Sequence, residues 1–280
     1  MRSVGHPTVS VVIPTFNRAA LIARSIQSVL NQSYADFELL VIDDGSTDET
    51  ASVVAGFCDP RINYVRLPNN AGAAAALNVG IRMSKGEFLS FQGSDDEWLS
   101  DNLAEHMSVF EQSSRKLGVV YSDMHRILKD GSVRYHASPT VVPGRLINPT
   151  TQFYQVYMLG SQSVVIKRDC LDATGYFNER LPALEDLELF IRLSKQFDFF
   201  RIPEPLVRYY ETDGLSKNRH ATLLARKLLV KLYYKELLLH APFFLFKEWL
   251  WIHKTKLKFM IETFLVITDK SQQPKPKKRA

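Results

Sequence analysis

The sequence predicts an α/β fold with a mostly parallel central sheet and a helical C-terminal extension. Short β-branched apolar runs alternate with segments of helical periodicity, which is the pattern of βαβ units with right-handed crossovers. Polar motifs directly follow three of the apolar runs. Residues 221–280 differ in composition, with 13 Lys and Arg against 4 Asp and Glu. The length of 280 residues fits one sizeable α/β domain with an appended segment, or two small domains.

The expected elements follow in chain order. Strands are predicted at 9–13, 37–42, 62–67 and 87–91, the first of them ending at Pro14. Helices are predicted after an Asn17 cap up to residue 30, from the second polar motif to residue 58, and at 72–83. Further on, we expect a strand at 119–121, a hairpin and loop over 130–149, a helix at 184–197 and mostly helix after 223. Disorder is expected only at 271–280, where the sequence is low in complexity.

Three polar motifs are expected at one edge of the sheet, because ligands of such sheets bind outside the carboxyl ends of the strands. They are Pro14-Thr15-Phe16-Asn17, Asp43-Asp44-Gly45-Ser46 and Gly93-Ser94-Asp95-Asp96. Turns and helix caps formed by Ser46, Thr47, Ser94 or Asp95 would explain part of the last two motifs. They do not explain adjacent carboxylates, which repel each other unless a cation or hydrogen-bond donors lie beside them. Two acidic pairs at one edge indicate Mg²⁺ or Mn²⁺, held together with substrate phosphates.

A third acidic cluster, Glu185-Asp186, begins the helix predicted at 184–197. A solvated helix face with an ion pair between Glu188 and Arg192 would account for Glu188. This alternative leaves Glu185 and Asp186 unexplained, near the start of a helix whose other face is apolar. One of these two carboxylates is therefore a candidate general base.

Cysteine usage and hydropathy exclude several classes of protein. Cys58 and Cys170 form no close pair, and the zinc-ligand spacing of Cys and His is absent, so we expect neither a disulfide framework nor a zinc site. Residues 1–7 lack the apolar segment of a signal peptide, and no run reaches the about 18 apolar residues of a spanning helix. A cytoplasmic location is the default expectation.

The ordered motifs resemble family 2 of the nucleotide-sugar-dependent glycosyltransferases, over about residues 8–218. The matching segments are 9–18, 27–33, 43–48, Asn70-Ala71-Gly72 with Ala76, Asn78 and Gly80, then Asp95-Asp96 and Glu185-Asp186. The resemblance implies a GT-A fold, with a Rossmann-like glycosyltransferase domain at 1–220. In that domain about 8–115 would bind the nucleotide sugar and about 116–220 the acceptor. Residues 221–280 would form a basic, amphipathic helical extension.

The same resemblance implies roles for individual residues. The nucleotide sugar would be bound by Pro14, Thr15, Phe16, Asn17, Asp44, Gly72, Asn78 and Asp95. Asp44 would accept from the pyrimidine N3–H, and Asp96 with Asp95 would hold a Mn²⁺ or Mg²⁺ ion that bridges the diphosphate. Asp186 would take the proton from the acceptor hydroxyl. Direct attack with a single base inverts the anomeric centre, so we expect inversion.

Three departures from the family pattern leave two functions open. Gly93 stands where the family often has Asp, Leu77 stands where Arg is usual, and 208–216 contains no His. The first hypothesis is a metal-dependent inverting glycosyltransferase that uses a UDP- or dTDP-sugar and a glycan or lipid-linked acceptor, in bacterial-type surface polysaccharide assembly. The second is a catalytically silent nucleotide-sugar-binding or scaffold protein. A dinucleotide-dependent oxidoreductase is disfavoured, because no G-x-G-x-x-G follows the first strand.

The extension carries the basic character of the chain. The whole chain has a net charge of +5, whereas residues 1–220 hold 22 Lys and Arg against 26 Asp and Glu. A basic stripe is formed by Lys227, Lys231 and Lys235, and an apolar stripe by Leu224, Leu228 and Leu232. The helices either pack on the main domain with a solvated basic face, or dock on an anionic membrane surface at the inner face of the cell membrane. Nucleic acid is not an expected partner, because the acidic main domain would repel it.

Overall fold

The computed structural model describes residues 6–113, 116–146, 154–156, 159–212 and 218–271, with side chains up to residue 258. The chain divides into two compact units, Met1–Lys217 and Asn218–Ala280. The first unit is an α/β structure and the second is helical, so the predicted fold class is confirmed.

A single sheet organises the first unit. Its strands are β1 (Val9–Thr15), β2 (Phe37–Asp43), β3 (Ile62–Arg66), β4 (Phe88–Phe91), β5 (Glu97–Trp98), β6 (Leu117–Ile127), β7 (Val133–His136), β8 (Val164–Lys167) and β9 (Asp198–Tyr210). The strand order is β3-β2-β1-β4-β8-β6-β9-β5, with β7 paired to β6. The longest pairs, β1 with β2 and β6 with β9, are parallel, whereas β5, β7 and β8 pair antiparallel. The carboxyl ends of β1, β2 and β4 therefore lie at one edge, as predicted.

Helices cover the sheet because their apolar side chains recur at helical spacing. They are α1 (Ile22–Leu30), α2 (Thr50–Ala55), α3 (Ala73–Met83), α4 (Asn102–Glu111), α5 (Arg168–Thr174) and α6 (Glu185–Ser194), with a 3₁₀ turn at Ser161–Ser163. In α1, Ile22, Ile26 and Val29 are fully buried in a core that also contains Val11 and Ile13 of β1. The packed core of sheet and helices therefore supports the loops at the carboxyl edge of the sheet.

Several predicted boundaries and caps are wrong. Strand β1 continues through Pro14 to Thr15, because proline lacks only the N–H and tolerates an extended backbone. Asn17 does not cap α1, which begins at Ile22 without a side-chain cap. Gly93-Ser94-Asp95-Asp96 does not start a helix either, since the chain enters the short strand β5 and α4 begins only at Asn102.

The longer predictions hold with shifted ends. The strand expected at 119–121 is the longer β6, and β6 with β7 forms the predicted hairpin, although the loop expected up to 149 ends outside the described residues. The Glu188–Arg192 ion pair exists at 3.0 Å, but Glu188 is buried, so this face of α6 is not solvated.

The second unit is a pair of helices, α7 (Arg219–His240) and α8 (Pro242–Ser271). Asn218 caps α7 by accepting from the Ala221 N–H at 3.0 Å. The predicted apolar stripe is not the buried one, because Leu224 and Leu232 are exposed whereas Leu229, Tyr233 and Leu237 are buried. Residues 272–280, most of the expected disordered end, lie outside the described part of the chain.

None of the helices described has both the length and the apolar content needed to cross a membrane.

Candidate active site

The end of β1 supplies a buried hydroxyl without a partner. Thr15 is 3% exposed, and its Oγ1 makes no hydrogen bond within the protein, while its carbonyl accepts from the Asp44 N–H at 2.8 Å. Pro14 is half-buried beside it, and Phe16 and Asn17 are exposed. A buried hydroxyl that lacks a partner favours binding of a polar ligand at this position.

Asn17 holds the first motif against the second. Its backbone φ of 52° is left-handed, a conformation that Asn adopts more readily than most residues. Its Oδ1 accepts from the Thr47 N–H at 2.8 Å, and its own N–H donates to Ser46 Oγ at 2.9 Å. Asn17, a predicted site residue, therefore also connects the two loops by hydrogen bonds.

The two carboxylates of the second motif have different environments. Asp43 is fully buried and accepts from the Ser46 N–H at 2.7 Å and from the Tyr64 hydroxyl at 2.6 Å. Asp44 accepts from the N–H groups of Ala71 and Gly72, each at 2.8 Å. Backbone and phenol donors therefore stabilise these two adjacent carboxylates.

The N–H groups that bind Asp44 belong to the segment Asn70-Ala71-Gly72, which is thereby brought into the site. Gly72 has a φ of 94°, and an added Cβ there would meet no atom within 4 Å. The glycine is thus needed for its backbone conformation, since the space around it is open. The open space lies beside Asp44 and faces the region where the nucleotide is predicted to bind.

Asn78 is buried and bound within the protein. Its Nδ2 donates to the Phe177 carbonyl at 2.9 Å and to Glu179 Oε1 at 2.7 Å, and its Oδ1 accepts from the Phe177 N–H at 2.9 Å. These bonds tie α3 to the segment before α6 and explain an asparagine here without a ligand. A direct contact of Asn78 with a nucleotide sugar stays a prediction.

The pair Asp95-Asp96 is surrounded by residues of α1, of β9 and of the segment just after β9. Asp96 is 3% exposed and its Oδ1 accepts from the Tyr210 N–H at 3.0 Å. Asp95 Oδ2 accepts from the Thr212 hydroxyl at 2.5 Å. Arg24 donates to the Asp95 carbonyl at 2.5 Å and its guanidinium lies 3.6 Å from the centre of the Tyr210 ring.

Asp96 has a strongly shifted pKa. Burial, together with repulsion by Asp95, raises its pKa to about 8, although the Tyr210 N–H and the Arg24 guanidinium oppose this shift. A nearby cation would lower that pKa, because it favours the charged carboxylate. The pair fits a divalent ion that takes its other ligands from phosphates and water, and the described residues contain no site with three protein ligands.

Gly93 explains how Asp96 reaches its position. A Cβ at residue 93 would lie 2.6 Å from Asp96 Oδ2, closer than real contacts allow. The absence of the acid that related sequences often carry at this position therefore leaves room for the Asp96 carboxylate.

Glu185 and Asp186 begin α6 directly after a strained residue. Leu184 has a φ of 60°, which is rare for a residue with a branched side chain and points to a functional constraint. Both residues are partly exposed, although their carboxyl groups are buried. Burial and repulsion by Asp186 raise the pKa of Glu185 to about 7, and burial raises the pKa of Asp186, opposed by the N–H groups of Leu187 and Ser161.

The 3₁₀ turn Ser161–Ser163 joins the acidic motifs. The Trp98 indole, two residues after Asp96, donates to the Gln162 carbonyl at 2.8 Å. His106 of α4 lies 3.2 Å from the Ser163 carbonyl, and the Ser161 N–H faces Asp186. The turn thus lies between the segment that follows Asp96 and the start of α6.

Sequence inspection missed the residues that arrive from distant parts of the chain. They are Arg24, Trp98, Gln162, Tyr210 and Thr212. The sequence singles out only the segment 208–216, because it lacks the usual His, and residues 213–216 of that segment lie outside the described structure. Tyr210 and Thr212 supply the donors to Asp96 and Asp95 from that same segment.

Comparisons with known proteins identify a family and related glycosyltransferases. A family model described as glycosyl transferase family 2 matches residues 10–168. The amylovoran biosynthesis glycosyltransferase AmsB of Erwinia amylovora is 31% identical over 212 residues, covering 72% of this chain and 69% of that protein. The UDP-Glc:alpha-D-GlcNAc-diphosphoundecaprenol beta-1,3-glucosyltransferase WfgD of Escherichia coli is 31% identical over 172 residues, covering 60% and 63%. A glycosyltransferase of Rickettsia felis is 30% identical to this chain over 67% of the chain's length. The chain spans only 31% of the length of that relative.

Solved structures share the fold. TarS 1-349 of S. aureus, in complex with UDP-GlcNAc, gives a TM-score of 0.63 at 21% identity, covering 80% of this chain and 66% of that chain. The mannosyltransferase PcManGT of Pyrobaculum calidifontis, in complex with GDP-Man and Mn²⁺, gives 0.59 at 22% identity, covering 84% and 65%. The expected GT-A fold is therefore confirmed.

Proposed function

Because this chain belongs to glycosyl transferase family 2, we propose that it is a metal-dependent inverting glycosyltransferase. Its donor is a UDP- or dTDP-sugar, and its acceptor is a hydroxyl of a glycan or a lipid-linked glycan. The observation that carries this proposal is the buried Asp96, whose pKa is raised beside Asp95 at the carboxyl end of β4. Such a carboxylate is stabilised by a cation and a diphosphate rather than by the protein alone.

The donor lies along the carboxyl edge of β1, β2 and β4. Pro14, Thr15, Phe16 and Asn17 line the base side, where the Thr15 hydroxyl has no partner in the protein. Asp44 accepts from the base, since each of its oxygens keeps a second lone pair beside the Ala71 and Gly72 bonds. The remaining predicted donor contacts are Gly72, Asn78 and Asp95.

Asp96 with Asp95 would hold Mn²⁺ or Mg²⁺, which when bound stabilises the charge on the diphosphate leaving group. The mannosyltransferase that shares the fold contains Mn²⁺ with GDP-Man. Arg24 and the Tyr210 and Thr212 donors orient the two carboxylates. These contacts hold the pair in place without a ligand.

Asp186 acts as the base. The acceptor oxygen forms a bond to the anomeric carbon while the bond from that carbon to the diphosphate breaks. The hydroxyl proton passes to Asp186, and the nucleoside diphosphate leaves. One base and direct attack give inversion, and the raised pKa makes Asp186 a stronger base than an ordinary aspartate.

The biological setting follows from the relatives. AmsB belongs to amylovoran biosynthesis and WfgD acts on a diphosphoundecaprenol-linked sugar. We therefore propose a role in bacterial surface polysaccharide assembly, in the cytoplasm or at the inner face of the cell membrane. Residues of about 8–115 would serve the donor and about 116–220 the acceptor.

A panel of UDP-glucose, UDP-N-acetylglucosamine, dTDP-glucose and GDP-mannose tests the proposal by thermal unfolding, with and without Mn²⁺. We expect a UDP- or dTDP-sugar to raise Tm only with Mn²⁺, and Asp96→Asn to abolish the effect. Asp169→Asn, at an exposed position of α5, is the matched control. Release of UDP or dTDP from the stabilising donor separates an enzyme from the alternative, a silent binding protein, which releases none.

A further inference from the structure

Helix α8 has two opposite faces. One face is buried and contains Phe244, Glu248 and Ile252. On this face Glu248 forms an ion pair with Arg226 of α7, through Arg226 Nε at 2.8 Å and a second bond from Nη2. The buried carboxylate on this face of α8 is therefore paired with a cation of α7.

The opposite face exposes large apolar side chains. Their positions recur at spacings of three, four and seven, which places them on one side of the helix. Each is between 46% and 60% exposed. They are Phe243, Phe246, Trp249, Leu250 and Leu257. We name these five residues the α8 apolar face. Contiguous exposed apolar surface of this kind marks an interaction site.

Lysines border the α8 apolar face. Lys247, Lys254 and Lys258 lie along one of its edges by helical spacing, and Lys256 lies at the other. Lys247 Nζ is 4.7 Å from the centre of the Phe243 ring. Within the part of α8 whose side chains are described, the one acid is Glu248, and Arg226 already neutralises it. Lys247, Lys254 and Lys256 therefore place positive charge along the edges of this face.

We propose that the α8 apolar face docks on an anionic lipid bilayer, lying in its surface. Trp and Phe beside lysines are typical of helices that lie in the membrane interface. Trp249 stacks on Phe246, with ring centres 6.1 Å apart, so the aromatic rings form one continuous patch. Anionic headgroups complement the lysines. A symmetric contact with a second copy would instead bring the lysine edges of two chains together.

This assignment narrows the expected contact from the whole extension, residues 221–280, to one face of α8. The stripe of Lys227, Lys231 and Lys235 predicted from sequence lies on α7, which contains no Phe or Trp. The large apolar side chains that α7 exposes are Leu224, Leu232, Tyr234, Leu238 and Leu239, so α7 lacks the Phe and Trp anchors of the α8 apolar face. The α7 stripe thus provides a matched control for the α8 lysines.

Flotation of the full chain with vesicles tests the proposal and requires no donor sugar. We expect binding to phosphatidylcholine vesicles that contain phosphatidylglycerol, no binding to phosphatidylcholine alone, and release at high salt. Phe246→Ser with Trp249→Ser should weaken binding about tenfold or more. Lys247→Gln, Lys254→Gln and Lys258→Gln together should weaken it on the order of 100-fold, since each lysine contributes about fivefold.

Controls decide which surface binds. Lys227→Gln, Lys231→Gln and Lys235→Gln together remove the same charge from α7 and should weaken binding far less. An equal loss in both triple variants would show diffuse attraction and overturn the assignment to α8. Val133→Ser changes an exposed apolar residue of β7 and should bind like the wild type. Sedimentation velocity tests the other outcome that would overturn the proposal. In that outcome the wild type is a dimer that binds no vesicles, and the Phe246→Ser, Trp249→Ser variant is a monomer.

Discussion

Trp98 donates its indole N–H to the backbone carbonyl of Gln162 over 2.8 Å, and both residues are buried. Gln162 belongs to the 3₁₀ turn whose Ser161 N–H faces Asp186, whereas Trp98 follows Asp96 by two positions. This hydrogen bond thus connects the segment after the proposed metal carboxylate with the turn that faces the proposed base. In this arrangement Trp98 would set the geometry between two carboxylates that are proposed to act on the substrates.

Trp98→Phe should lower kcat about tenfold while the affinity for the donor changes little. Phenylalanine keeps most of the apolar contact but leaves the Gln162 carbonyl without a donor, so the turn shifts. Because the Ser161 N–H lowers the pKa of Asp186, its displacement should also move the acidic limb of the kcat profile to higher pH.

Trp251→Phe, in the second compact unit, controls for the loss of an indole. A lower Tm with an unchanged pH profile would show that Trp98 serves stability alone, and the positioning role would be wrong.

The sequence predicted the strands and acidic motifs because those signals are local. Val9, Val11 and Ile13 of β1 are β-branched and fully buried, and the polar residues that follow them mark the strand end. Local capping preferences were the source of the errors. Asn17 resembles a helix cap, yet its oxygen accepts from Thr47, which lies 30 residues further along the chain.

The rest of the site could not be predicted, because its partners are far apart in sequence. Tyr210 bonds to Asp96 across 114 positions, and Thr212 bonds to Asp95 across 117. Neither residue type has a periodicity or spacing that marks this role. The Arg24 contact with the Tyr210 ring depends on α1 and β9 meeting, which only the folded chain reveals.

Gly93→Ala should weaken Mn²⁺ binding in the presence of UDP about tenfold, measured by calorimetry. The added Cβ would lie 2.6 Å from Asp96 Oδ2, so the carboxylate must leave its position. Metal sites lose affinity when their ligands are displaced from the required geometry.

Gly56→Ala is the matched control, because the glycine ends α2 and a Cβ there would lie 3.2 Å from the Val53 carbonyl, away from the acidic motifs. Mn²⁺ affinity that is the same in Gly93→Ala and the wild type would remove Asp96 from the metal site.

Asp186→Asn should lower kcat about 100-fold or more, because asparagine is nearly isosteric but cannot take a proton. Donor affinity should change little, since the residue is expected to contact the acceptor. This separation of kcat from donor binding distinguishes a chemical role from a structural one. A variant that keeps near-normal turnover, or that folds poorly and loses donor binding, would refute the assignment.

The pH dependence identifies which carboxyl of the pair is the base. Burial raises both pKa values, that of Glu185 to about 7, so the pair loses its last proton near neutrality and kcat should rise with pH through this range. Glu185→Gln removes the carboxyl whose pKa is about 7 and leaves Asp186 as the titrating carboxyl of the pair, so the rise in kcat should shift to lower pH. The native carboxyls also hold protons that the unfolded chain releases at lower pH, so stability should fall as pH rises towards 7, less so in Glu185→Gln. If Glu185→Gln instead abolishes turnover while Asp186→Asn does not, Glu185 is the base.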